Sequence, residues 1–171
     1  MKLTRAVVAG GGAALVVVLL LLAAQRILGV PTDLGTLLGT LALPDGGVGA
    51  WLVGTAGQVV VGAAAGALYA AVFEFVFRRA GPLAGLAVAV PHVVVAGLAV
   101  GFLPVWLGTG TEAVPGAFLG FGGARAVVCF VAAHLLFGAL VGWCYGRTRH
   151  RAAAPAPRWR DLPVPDETGV A

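Results

Sequence analysis

Residues 6–24 read Ala-Val-Val-Ala-Gly-Gly-Gly-Ala-Ala-Leu-Val-Val-Val-Leu-Leu-Leu-Leu-Ala-Ala, nineteen positions without a charge. Lys2 and Arg5 precede the run, and Gln25 and Arg26 close it. At 1.5 Å per residue, a helix of this length covers roughly 28 Å, close to the ~30 Å of hydrocarbon in a bilayer. A secretory signal peptide is the competing reading. Its apolar region runs to about 7–15 residues and ends at a small-x-small site. This run is longer and has no clean site of that kind, so it is read as a retained anchor occupying about residues 6–26.

The pattern repeats three times. Spans are expected at about 51–77, 82–107 and 124–145. Trp51 and Trp106 mark one set of ends, and Trp143 and Tyr145 the other, where aromatic residues favour the headgroup region. Pro91 interrupts the third span, and a kink is expected there because proline frees a backbone carbonyl one turn back. Between the first two spans, residues 34–43 are apolar but too short to cross. Pro31-Thr32-Asp33 starts a short helix there and Pro44-Asp45-Gly46-Gly47 ends it, which suggests an element lying in the interface. Residues 108–123, with Glu112 and the Gly-rich Pro115–Gly123 stretch, read as a loop. The expected fold is therefore all-α, a four-helix transmembrane bundle over residues 1–146. A basic, Pro-rich tail over 147–171 has little to bury and reads as disordered.

Composition supports lipid as the solvent. Of 171 residues, 60% are hydrophobic and 11% charged, against about 25% charged in soluble domains. The net charge of +4 does not indicate a nucleic-acid partner, because the basic residues sit at span ends. Lys2, Arg5, Arg78, Arg79, Arg147, Arg149, Arg151, Arg158 and Arg160 fall on one side and only Arg26 and Arg125 on the other. That bias puts both termini in the cytoplasm and the chain in the plasma (inner) membrane. The lipid bilayer is the expected partner, with a homo-oligomer or another membrane protein as further possibilities. Cys129 and Cys144 lie in one helix, about 22 Å apart, and cannot bridge within it.

Lipid is as apolar as leucine, so helices in it associate by close backbone packing at small residues. Pairs four residues apart occur at Gly62/Gly66, Gly97/Gly101, Gly138/Gly142 and Gly142/Gly146. Whether they serve contacts within one chain or between chains is open. Polar groups inside spans are costly and turn inward, and the candidates are Gln58, Glu74, His92 and His134. Glu74 precedes Arg78 by one turn, a favourable local ion pair, or alternatively a proton or cation site. His92 and His134 both lie roughly 15–16 Å from the inner boundary. Two imidazoles at one depth suit a shared proton, a metal, or a haem held from both faces. The plainer state is a neutral imidazole bonded to a backbone carbonyl or to Gln58. Gln58 can serve as interhelical glue. No Ser–His–Asp set, phosphate-binding glycine loop, His-Glu-x-x-His or Cys-x-x-Cys occurs. The chain reads as a non-enzyme without a cofactor, a structural or interaction component. A small oligomeric transporter or proton-coupled channel is the alternative, and a His-pair metal or haem protein a third reading.

Several short motifs carry a resemblance: Asp33-x-Gly35 with Leu38-Gly39-Thr40, Tyr69-Ala70-x-x-Phe73-Glu74, Gly81-Pro82-Leu83, Pro91-His92, Gly101-Phe102-Leu103-Pro104, and His134-Leu135-x-Phe137-Gly138 running on to Gly142-x-x-Tyr145-Gly146. Over residues 30–146 the chain resembles the YagU-like group and related small bacterial membrane proteins. The resemblance implies a four-helix inner-membrane protein with no assigned activity and no catalytic residue to carry over. It also implies a histidine where Gln58 stands, so the chain departs from the pattern there, which weakens a metal cluster.

Topology is directly testable. Alkaline phosphatase fused after Gly46 is expected to be active, and the same fusion after Ala171 inactive. The reverse result would invert the orientation.

Overall fold

A computed structural model describes residues 2–30, 32–106 and 116–150 of the chain. The described residues form five α-helices: α1 (Leu3–Leu28), α2 (Leu34–Thr40), α3 (Gly47–Phe75), α4 (Pro82–Trp106) and α5 (Gly123–His150). No strand occurs among them. Four of the helices are long and apolar enough to cross a membrane. Their outward faces carry Val60, Leu68, Leu83, Val90 and Phe102, all exposed. Such helices are oily on every side, as helices solvated by lipid are.

Local signals set the helix ends. Gly29 at φ +63° adopts the left-handed conformation that closes α1, its N–H bonding Gln25 O at 3.1 Å. Asp33 caps α2: Oδ1 accepts from the Thr36 N–H at 2.9 Å and Oδ2 from the Thr36 hydroxyl at 2.7 Å. Thr32, buried, donates its hydroxyl to Leu21 O at 3.1 Å and ties α2 to the end of α1. Pro82 opens α4, where its missing N–H costs nothing.

Laterally the long helices follow the order α3, α1, α5, α4. Helices α3 and α4, consecutive in the chain, make little contact with each other. The pair α1 and α3 runs antiparallel with Ala6, Gly10 and Ala14 set against Gly66 and Gly62. A Cβ placed on Gly10 would sit 2.7 Å from Gly66 Cα, so the two backbones touch. Helices α4 and α5 are also antiparallel, with Gly85 and Ala89 against Gly138 and Gly142. A Cβ on Gly138 would meet Ala89 Cβ at 2.6 Å. Short α2 presses Gly35 and Gly39 onto Ala50 and Gly54 at the start of α3.

Two packed clusters result, one at each end of the bundle. Ala6, Ala13, Tyr69, Phe73, Val141 and Tyr145 belong to the first, at the end holding the α1 N-terminus. Leu21, Val30, Leu34, Leu119, Ala126 and Phe130 belong to the second.

The structure refines several sequence expectations. Helix α1 extends beyond residues 6–26 at both ends, and α3 starts at Gly47, directly after the turn. Helix α5 continues to His150, past the expected domain limit at 146, because nothing in Gly146–His150 breaks a helix. The rest of the tail, 151–171, and residues 107–115 with Glu112 lie outside the described residues. Helix α4 passes through Pro91 as one element. The expected loop around 117–122 is a 3-10 turn folded back onto α4 and α5. Gly97 and Gly101 face that turn, not a neighbouring helix: they leave room for the Phe118 ring and the Ala117 backbone. Phe118 and Leu119 hold positive φ of 56° and 60° there. This conformation costs roughly 1–2 kcal/mol per non-Gly residue. It is sustained by burial of Leu119 and by an edge contact of Phe118 on Phe130 at 6.0 Å.

The close approaches predict a sharp positional pattern. Gly85→Leu should destabilise the protein by about 1–3 kcal/mol or more, the range for overpacking a filled contact. A Cβ on Gly57 meets nothing within 4 Å, and Gly57→Leu should leave the thermal melt in detergent unchanged.

A polar-tipped cavity between the two packed ends

Between the two clusters the helices are lined with small side chains and do not close on each other. A cavity of about 340 Å³ remains, walled by Ala14 and Val17 of α1, Gly62 and Ala65 of α3, Ala96 and Ala99 of α4, and Ala133 of α5. Leu34 and Leu38 of α2 roof one end and Phe137 floors the other. Among the described residues its polar lining comes from three side chains, Gln58, His92 and His134. Val61 of α3 and Val95 of α4 also line it, yet are 68% and 66% exposed. They form the two lips of a side opening, located where α3 and α4 fail to pair.

The two histidines face each other across the cavity floor. Their ring centroids are 5.3 Å apart and the planes meet at 79°. His134 Nδ1 lies 2.9 Å from Phe130 O, its own carbonyl neighbour one turn back. A carbonyl only accepts, so this nitrogen carries the proton and Nε2 keeps a lone pair. His92 Nδ1 lies 2.9 Å from the hydroxyl of Tyr69, a residue only 1% exposed. That hydroxyl has no other partner among the described residues. Donation from Tyr69 to His92 satisfies it, and leaves the His92 proton on Nε2. The rings of Phe130 and Phe137 pack against the pair, at 4.2 Å from His134 and 5.7 Å from His92.

As they stand, the imidazoles are too close to serve as opposite axial ligands of a flat macrocycle. With metal–nitrogen bonds near 2 Å that arrangement needs centroids roughly 6 Å apart. Among the described residues no cluster of three His, Cys, Asp or Glu side chains could hold a metal ion.

The remaining candidates lie elsewhere. Gln58 stands at the roof end, where its Nε2 is buried without a partner among the described residues, as are Gln25 Oε1 and Thr55 Oγ1. Gln25 and Gln58 border a second space of about 10 Å³, the room one water takes. Gln58 thus does not bond to His92. Glu74 does not form the expected one-turn pair. Helix α3 ends at Phe75, and exposed Arg78 sits at φ +52°, off the helical path. Glu74 Oε1 instead accepts from the Tyr145 hydroxyl at 3.0 Å, and that hydroxyl also accepts from the Lys2 backbone N–H at 3.4 Å. This knot joins α1, α3 and α5 at the end of the bundle that holds the α1 N-terminus. Fully buried Phe73 stands between it and the histidines, 6.1 Å from both the Tyr69 and Tyr145 rings.

Sequence reasoning passed over Tyr69 and Tyr145. A usable signal was present for the first: Gln58, Gly62, Ala65 and Tyr69 recur at steps of four, three and four, which places them on one helix face. Steps of four likewise put Ala6, Gly10 and Ala14 of α1 on one face. Comparison with family models, curated proteins and solved structures gives no match to this chain.

Tyr69→Phe removes the one partner that His92 Nδ1 has among the described residues. It should cost about 1–3 kcal/mol in unfolding experiments, the penalty for orphaning a buried polar group. A neutral effect would show that the hydrogen bond is not formed.

Proposed function

We propose that this chain is a non-enzymatic, multi-pass protein of the plasma membrane that binds a small, mostly apolar molecule drawn from the bilayer. The observation that carries the reading is the cavity between the packed ends, with its aliphatic wall, three polar groups and side opening between α3 and α4. Ligand sites have this character in general: concave, a few hundred Å³, apolar, with a small number of placed polar groups. A side opening toward lipid admits a solute already dissolved in hydrocarbon, so no aqueous path is required. The small-residue faces of α1/α3 and α4/α5 hold the walls rigidly enough to keep the space open, the role proposed here for the paired glycines.

The lining, aliphatic with a few hydrogen-bonding side chains, supports binding over conversion. A proton-coupled transport role is less well supported. The His92–Tyr69 bond and the Tyr145–Glu74 bond lie on either side of Phe73, a ring that has no proton to pass on. Membership of the YagU-like group, cytoplasmic termini and the inner membrane belong to the same proposal, resting on the motifs and on the distribution of arginine.

Photolabelling with an alkyl diazirine in lipid nanodiscs tests it. Label should concentrate on residues 95–100 and 130–137, and Ala99→Trp, which fills the space, should reduce it there several-fold. Even labelling over all lipid-facing positions, indifferent to Ala99→Trp, would refute a binding cavity.

A further inference from the structure

The cavity floor restricts what the polar end of a ligand can be. His134 Nδ1 is committed to Phe130 O and presents a bare Nε2, an acceptor. His92 Nδ1 is committed to the Tyr69 hydroxyl and presents Nε2–H, a donor. Both rings line the same cavity, 5.3 Å apart and nearly perpendicular. Neither Nε2 has a partner among the described protein groups. We infer that the cavity selects aliphatic alcohols, whose hydroxyl accepts from His92 Nε2–H and donates to His134 Nε2.

The physical case is one of matching. A ketone, quinone or ether offers acceptors only, so it would satisfy His92 and leave His134 facing an apolar group. A hydrocarbon would satisfy neither. A hydroxyl satisfies both with one oxygen, and in a cavity walled by alanine and valine the unmet group is the costly one. The two tautomers differ, which also disfavours a metal ion, since a metal requires a lone pair on both ring nitrogens that face it. Length fits a chain: the walls run Ala14–Leu21, Gln58–Ala65, His92–Val100 and Phe130–Phe137. Seven or eight residue-to-residue rises along a helix amount to about 10–12 Å. The hydroxyl lies at the histidine end, with the tail running toward Leu34 and the side opening.

This inference rests on the binding function proposed above, and competition against the diazirine probe separates the two. In wild-type protein, n-decanol should displace the probe at about one-tenth the concentration that decyl methyl ether needs, the worth of one satisfied buried hydrogen bond. In His134→Phe the two should compete equally, both still displacing the probe. Equal competition in the wild type overturns the alcohol assignment and leaves the cavity reading intact. Displacement by neither overturns both. Nitrogen-15 NMR of histidine-labelled His150→Gln protein, in which His92 and His134 are the two remaining histidines, gives a ligand-free check: one Nδ1–H and one Nε2–H imidazole are expected. Two histidines in the same tautomer, or zinc-dependent shifts of both, would sink it.

Discussion

In hydrocarbon there is no water to rescue an unpaired backbone group and no hydrophobic force to push helices together. Everything else in this protein follows from those two facts. The first leaves the helix as the only practical form for the four long spans. The second means that side-chain oiliness cannot choose which helices meet. The choice falls to the places where backbones can touch, here Ala6, Gly10 and Ala14 against Gly62 and Gly66, and Gly85 and Ala89 against Gly138 and Gly142.

Small residues have a second consequence. Where two rows of them face each other directly, helices come into contact; where they face a gap, they leave space. At the ends of the bundle, Tyr69, Phe73 and Tyr145 on one side and Leu119 and Phe130 on the other fill the interior. Between these ends Ala14, Ala65, Ala96, Ala99 and Ala133 do not. Because α3 pairs with α1 and α4 with α5, consecutive helices α3 and α4 are left apart, and the internal space has a way out sideways. The cavity and its opening are products of one pairing scheme.

The polar groups obey the same accounting. Glu74 accepts from Tyr145 at the end that holds the α1 N-terminus, Thr32 and Asp33 satisfy backbone groups around α2, and His134 returns its proton to its own helix. Beside Gln25 Oε1 and Thr55 Oγ1, which lie outside the cavity lining, the unmet capacity collects around the cavity and its roof: two imidazole Nε2 atoms and the amide of Gln58. Leftover hydrogen-bonding capacity at mid-membrane is expensive. Its convergence on one cavity is what makes this cavity a candidate site and not merely a packing gap.

The sequence by itself determined the helical fold, the number of spans, and the polar residues worth watching, because each of these is a one-dimensional property. A run of nineteen apolar residues can satisfy its backbone only as a helix, and His92 and His134 fall at one depth by counting. The tertiary structure alone decided which helices pair, that the 3-10 turn at Ala117–Gly122 folds back onto Gly97 and Gly101, and that Tyr69 bonds to His92 while Glu74 turns to Tyr145. The reason is rotational. Hydropathy is nearly uniform around these helices, so no amphipathic stripe says which face looks inward. Only the meeting of particular glycines and alanines in three dimensions fixes each helix about its own axis, and with it the partner of every polar side chain.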